Sequence, residues 1–386
     1  MFDFSQFLSD NYAIALAAVM LAAMVYLCLY YGLYHLRVGR WNLNAKSQPT
    51  DDSQLPPVSV VLTTHNEVQW LNENLVYLLE QEYPDFEVVV VNYLSTDDTQ
   101  YTLKLLSDYY PRLKVVTFDE DVNLFQGKKY PLSIGIKSAK NDILMLADPE
   151  CTPKNLRWLR GMVEGYRQGK NTQLVMGYCG VKRGKTLLGA LQQYDALCYG
   201  AQYLGRALMG HPYTASGRNL SYRRSFFFSR GGFINHYDVA EGSDDLFVYQ
   251  NATRANTAIC ISSDACLTTE PRPTFRLWHE DRQRRVATRS RHSLISRLRE
   301  SIPTWACVLF YLAAALLLWR GTLPWIVLAI AVAVKWAWQI VCMSMLTRRF
   351  DGGYVHWAAP LLEIYFTVAN TLLIMHRPAS NRKFKK

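Results

Sequence analysis

The sequence predicts a doubly wound α/β domain tethered to a membrane by apolar helices on either side of it. Three observations carry this reading. An almost uncharged run extends from Tyr12 to Tyr34, further apolar stretches follow residue 303, and between them short β-branched runs alternate with helical patterns. The hydrophobic fraction of the 386 residues is 50%, an ordinary value whose uneven placement is the informative part.

The first element is YAIALAAVMLAAMVYLCLYYGLY (12–34), which at ~1.5 Å per residue covers a hydrocarbon core of ~30 Å. A cleavable leader would open with basic residues and carry a shorter apolar core, whereas this chain opens with Asp3 and Asp10. Residues 12–36 are therefore expected to be a retained membrane helix. Residues 37–55, polar and leading to a proline pair, are expected to be a linker.

The soluble domain is expected over 56–281. VSVVLTT (58–64) is a short apolar strand, and Leu71, Leu75, Leu78 and Leu79 mark a helix after it. FEVVVVN (86–92) is a second buried strand, so the pair is parallel. A helix from Thr99 to Tyr109, a strand KVVTF (114–118), a helix from Tyr130 to Ala139 and a strand DILMLAD (142–148) continue the alternation. Ligands of such sheets bind at the carboxyl ends of the strands. That singles out His65, Asn66 and Glu67 after the first strand, Asn92, Ser95, Thr96 and Asp97 after the second, and Asp148 and Glu150 after the fourth.

Beyond the domain, 282–302 is rich in arginine but carries Val286, Leu294, Ile295 and Leu298, and reads as a basic interfacial helix drawn to anionic headgroups rather than a solvated linker. Residues 303–376 hold the C-terminal membrane segments. The stretches 303–319 and 323–346 are expected to form a hairpin, and 354–375 is weakened by His356, Pro360, Glu363 and Asn370. The tail 377–386 is basic.

The net charge of +10 sits largely beside these spans, at Arg37, Arg40, the run from Arg282 to Arg299, Arg348, Arg349 and the tail. Such flanking charge marks the cytoplasmic side and argues against nucleic acid as a partner. The domain is accordingly expected in the cytoplasm, with membrane lipids as partners and the C-terminus cytoplasmic as well. The eight cysteines show no C-x-x-C spacing, consistent with buried thiols in a reducing compartment.

Asp148-Pro149-Glu150 lies where an apolar strand meets a turn. Two carboxylates sharing a site repel unless a cation lies between them, which suits a hard divalent ion completed by substrate phosphates; the plain alternative is an exposed turn. In Glu241-Gly-Ser-Asp244-Asp245 one carboxylate at a helix start can act as a general base, or Asp244 can simply cap that helix. GYCGVKRGKT (177–186) ends like a phosphate loop, but Cys179 stands where its first glycine is required.

Taken in order, PVSVVLTTHNE, EQEYPDFEVVVVNYLSTDDT, GKKYPLSIGIKSAKNDILMLADPECTP, SGRNLSYRRSFFFSRGGF and EGSDDLF resemble the family 2 glycosyltransferases over roughly residues 56–290. That resemblance implies a Rossmann-like catalytic domain of the A type with one N-terminal and two to three C-terminal transmembrane helices. It implies a membrane-bound, inverting, metal-dependent transferase acting from a nucleotide-sugar, a UDP-sugar in the first instance, onto a saccharide or lipid-linked acceptor in cell-surface glycan or polysaccharide synthesis at a bacterial inner membrane. By the same resemblance Thr64, Asn66, Glu67, Asn92, Asp97, Lys128 and Asp148 line the nucleotide-sugar pocket, Asp148 and Glu150 hold Mg2+ or Mn2+, and Asp245, with Asp244 as second choice, is the base. Gly217, Asn219, Trp278, Gln283 and Arg285 form the acceptor side.

Three departures bear on this. Asn92-Tyr93 replaces an aspartate pair, Asp-Pro-Glu replaces D-x-D, and WHEDRQRRVATR (278–289) holds Gln283 and Arg285 without the tryptophan of the family's Q-x-x-R-W segment. The last tilts the reading toward single-sugar transfer over processive synthesis, and the first leaves a non-catalytic sugar-nucleotide-binding protein as an alternative.

Overall fold

The apolar runs of the middle region become strands because both faces of the sheet they form are covered. The computed structural model describes residues 10–42, 52–118 and 127–375. These fall into two units, one from Trp41 to Arg291 and one made of the residues before Trp41 and from His292 onward.

In the first unit, β1 (Val58–Thr64) is followed by a helix α2 over 68–79, β2 (Phe86–Tyr93), α3 (Thr99–Tyr109), β3 (Leu113–Phe118), α4 (Lys129–Ser138) and β4 (Ile143–Leu146); the numbering leaves α1 for the N-terminal helix, Asn11–Gly39. β1 pairs in parallel with β2 and β4, and β2 with β3. The chain then adds β5 (Cys151–Pro153), α5 (Trp158–Val163), β6 (Leu174–Met176), β7 (Cys179–Val181), α6 (Leu187–Leu208), β8 (Leu220–Arg223), α7 (Arg224–Ser229), α8 (Asp245–Asn251), β9 (Thr257–Ile259), β10 (Leu267–Thr269) and α9 (Phe275–Ala287). The main sheet runs β3-β2-β1-β4-β8-β6-β9, with β8 antiparallel to β4 and β6, and β5-β10-β7 form a small second sheet.

Alternate residues serve opposite faces. Val58, Val60 and Leu62 of β1 join Val88, Val90, Leu71, Leu75 and Met145 in one core. Val61 and Val91 face α4, which lies so close that a Cβ at Gly135 would meet Val61 Cγ1 at 2.7 Å. This contact sets the depth of α4, and with it the position of the lysines at its start.

The second unit is a helical bundle of α1, α10 (Leu294–Arg320), α11 (Trp325–Phe350) and α12 (Val355–Met375). α1, α10 and α11 are long and apolar enough to cross a membrane. Asp10 caps α1, accepting from the N–H groups of Tyr12 and Ala13, and pairs with Arg320 at 2.8 Å. The stretch 282–302 differs from the single interfacial helix expected. It is the end of α9, a 3-10 turn (Thr288–Arg291) and the first turns of α10, because Ser293 caps a new helix by accepting from Ser296 N–H.

Gly135→Ala should lower the melting temperature by crowding Val61. Pairing it with Val61→Ala should cost less than the two single changes added together, and strict additivity in that double-mutant cycle would contradict the contact.

Candidate functional site

The loops after β1 and β2 are tied to each other. Asn66 sits in the left-handed region at φ 54°, a conformation asparagine tolerates, and its Oδ1 accepts from Thr96 N–H at 2.7 Å while its own N–H donates to Ser95 Oγ at 3.0 Å. Asp97 accepts from the N–H groups of Val68 (3.3 Å) and Thr99 (3.1 Å). Both side chains therefore shape the rim by binding backbone. Thr64 and Asn92 are buried at the strand ends, and Asn92 Oδ1 has no hydrogen-bond partner among the described residues. Glu67, partly buried, has its pKa pushed up to about 7, chiefly by burial and next by the negative charge of Asp148, with Glu150 adding to it.

Two residues past β4, Asp148 accepts a charged hydrogen bond from Lys128 Nζ at 2.9 Å, and Arg218 Nε lies 3.8 Å from its second oxygen. Burial alone would raise the pKa of Asp148, but Lys128 and Arg218 outweigh it and hold the carboxyl below its ordinary value. Glu150, expected beside it as a metal ligand, has both oxygens taken: Arg218 Nη2 is 2.5 Å from one and Arg272 Nη2 2.7 Å from the other. Arg272 Nε also holds Asp281 of α9 at 2.7 Å. The D-P-E turn is thus a partnered charge cluster, not an exposed loop. Among the described residues no three His, Cys, Asp or Glu side chains gather as a metal cage. Ions of the magnesium type need only one or two carboxylates when phosphates supply the other oxygens. Asp148, with its second oxygen held only loosely, fits that role.

Asp244 shares a cleft with Asp148, Lys128, Thr63 and Gly217. Its Oδ2 accepts from Gly217 N–H at 2.6 Å and its Oδ1 from Asp245 N–H at 2.9 Å, so it does cap α8. Asp245, the first residue of α8, accepts through Oδ2 from Thr288 Oγ1.

The segment leading to this pair is clamped by Lys129. Its ammonium, 1% exposed, donates to the backbone carbonyls of His236 (2.9 Å), Val239 and Glu241 (2.6 Å). Burial draws its pKa down to about 8, with Glu241 opposing. Gly127, at φ 98°, lets the chain pass beneath the same segment, since a Cβ there would lie 2.0 Å from Ala240 O. Adjacent lysines thus hold the two acidic centres, Lys128 the turn after β4 and Lys129 the segment before α8.

On the expected acceptor side, Gly217 offers its N–H to Asp244, but Asn219 serves the core. It is 1% exposed, and it donates to the carbonyls of Tyr178 and Ala265 while accepting from Trp158 Nε1. No polar group is left to meet an acceptor. Trp278 is buried too, its Nε1 3.4 Å from Asp195 Oδ2, and Arg285 donates to the same oxygen while Arg282 Nε approaches Oδ1 at 3.6 Å. Gln283 bonds His279 at 3.1 Å. Asp195 on α6 is therefore the anchor of α9, a role with no sequence signal beyond a lone acid in a helix. Arg218, Arg272 and Lys129 were likewise not singled out, although Arg218 and Lys129 lie inside motifs that were.

Comparison with known proteins shows the family and the fold. The sequence model of "Glycosyl transferase family 21" matches residues 16–372. A probable glycosyltransferase YdaM of Bacillus subtilis is 25% identical over 262 residues, 66% of this chain and 59% of the relative. A poly-β-1,6-N-acetyl-D-glucosamine synthase of Staphylococcus epidermidis is 24% identical over 200 residues, 52% of this chain and 46% of the relative. The chain thus spans about half the length of these curated relatives. A solved structure of the mannosyltransferase PcManGT from Pyrobaculum calidifontis, in complex with GDP-Man and Mn2+, shares the fold with a TM-score of 0.58 at 20% identity, covering 92% of this chain and 99% of that one.

Lys129→Met removes the clamp. Turnover should fall on the order of 10²-fold, the scale of a displaced reacting group, while donor binding stays within about twofold and Lys129→Arg recovers part of the loss. Full turnover in the methionine variant would show that the segment needs no clamp.

Proposed function

The chain belongs to glycosyl transferase family 21, a group of the family 2 type, and from that premise we propose that it is an inverting transferase at a membrane. It moves a sugar from a nucleotide-diphosphate donor, a UDP-sugar in the first instance, to a hydroxyl of a saccharide or lipid-linked acceptor on the cytoplasmic face of a bacterial inner membrane, in cell-surface glycan synthesis. The observation that carries this is the cleft at the carboxyl ends of the parallel strands, lined by Asp148, Lys128 and Asp244.

In the proposed reaction Asp245 accepts the proton of the acceptor hydroxyl, whose oxygen attacks the anomeric carbon from the face opposite the phosphate. The bond from the anomeric carbon to the phosphate oxygen breaks in the same step, and the nucleoside diphosphate departs with the electron pair. One displacement inverts the anomeric configuration. Asp244 has both oxygens committed to backbone N–H groups, so it positions the start of α8, and this supports Asp245 as the base. Lys128 and Arg218 put positive charge beside the departing diphosphate. A divalent ion, Mg2+ or Mn2+, held by Asp148 and donor phosphate oxygens, would neutralise further charge there; Glu150 acts at longer range, its oxygens being taken by arginines.

The basic residues at the ends of the apolar helices support the cytoplasmic orientation: Arg37, Arg40, Arg348 and Arg349 sit where α1 and α11 finish.

Asp148→Asn should cut turnover by ~10²-fold or more with the fold intact, and a chelator should do the same to the parent enzyme. Normal turnover in the variant would remove Asp148 from the site. Asp245→Asn should lose ~10²-fold in transfer yet retain donor. If Asp244→Asn is the crippled variant instead, the base is one residue earlier.

A further inference from the structure

α12 carries Glu363 near its middle, a charge that counts against a crossing. The bundle pairs that charge. Glu363 forms a buried ion pair with Lys335 of α11 and accepts from Tyr31 OH at 2.6 Å and Tyr311 OH at 3.2 Å, while Lys335 also donates to Gln339 Oε1 at 3.2 Å. Lys335 is 1% exposed and Glu363 7%. Four helices thus close around one neutral, hydrogen-bonded pair, which removes most of the cost of carrying it through hydrocarbon.

The register of α12 on α11 gives its path. Thr347 meets His356 at 3.3 Å, Gln339 Nε2 donates to Ala359 O at 3.1 Å, and Lys335 meets Glu363, so numbers fall along α11 as they rise along α12. The helices are antiparallel. From Lys335 back to the start of α11 at Trp325 is ~15 Å, and from Glu363 to the end of α12 at Met375 is ~18 Å, at ~1.5 Å per residue. α12 therefore returns to the level at which α11 began, which a helix lying in the interface does not do. Its outward face is an unbroken apolar stripe of Trp357, Leu361, Ile364, Val368 and Leu372, all exposed and spaced three or four residues apart. The polar groups point in and the apolar ones out.

We propose that α12 crosses the bilayer as a third C-terminal span, with this stripe seated in the acyl chains. α1 finishes and α10 begins at one end of the bundle, where Gly39 packs against the backbone of Met345 and Leu346. Asp10 and Arg320 pair at the other end. The chain leaves α12 at the Asp10 end, so the proposed crossing puts the residues after Met375 on the side of the bilayer away from the end of α1 and the start of α10, against the expectation drawn from their charge.

Two variants of the full chain, Tyr354→Cys before α12 and Ser380→Cys after it, test this with a membrane-impermeant maleimide, the parent chain giving the background of its own thiols. The expected result is labelling of Ser380→Cys on intact cells and of Tyr354→Cys only after permeabilisation. Reversed compartments would keep the crossing and overturn the orientation; labelling of both variants in one compartment would overturn the crossing. Adding Lys335→Met, which strands the charge of Glu363, should cut the labelled fraction at Ser380→Cys several-fold, and adding Glu363→Leu as well should restore it. An undiminished fraction in the Lys335→Met chain would overturn the role given to the ion pair.

Discussion

The site is organised by the repulsion between carboxylates that the parallel strands bring to one edge. Glu67, Asp148 and Glu150 follow the strands there, and Asp244 joins Asp148 in the cleft from the start of α8. The fold meets this with cations drawn from distant segments: Lys128 before α4, Arg218 after α6 and Arg272 before α9. Arg218 reaches Asp148, Glu150 and Asp281, so it also links the turn after β4 to α9. At the same edge burial, and next the negative charge of Asp148, raise the pKa of Glu67.

Geometry at the other side of the cleft follows from the same short helix. α4 is pressed onto β1 and β2 at Gly135, which fixes where its first residues project. Lys128 then reaches the turn after β4 and Lys129 the carbonyls of the segment before α8. Asp244, capping α8 and holding Gly217 N–H, closes the circuit between that segment and the strand β8 that follows. Asp148 and the segment leading to the acidic pair are thus held by neighbouring residues of one chain segment.

Much of this was legible in the sequence because strands buried on both faces must be apolar throughout: VSVVLTT, FEVVVVN and ILML read directly as β1, β2 and β4, and Asp148, just beyond β4, lines the cleft. The antiparallel insertion of β8 was not legible, since a four-residue strand between two others has no periodicity to read. Nor were the ion pairs of Glu150, whose partners lie 68 and 122 residues away along the chain. Asn219 misled because its motif position suggests contact with substrate, while its three hydrogen bonds are spent between Tyr178, Ala265 and Trp158. In the bundle, the charge of Glu363 weakened its stretch when read alone, and its partner Lys335 lies on another helix.

The claim on which the rest depends is that one carboxylate activates the acceptor for a single displacement at the cleft. The stereochemistry of the first product measures it most directly: with an α-linked nucleotide-sugar donor and the purified full chain, the proton coupling at the new anomeric centre distinguishes the two outcomes. The account requires a β-linked product at the earliest time resolved. An α-linked product would mean two displacements or a different mechanism, and would contradict the role given to Asp245.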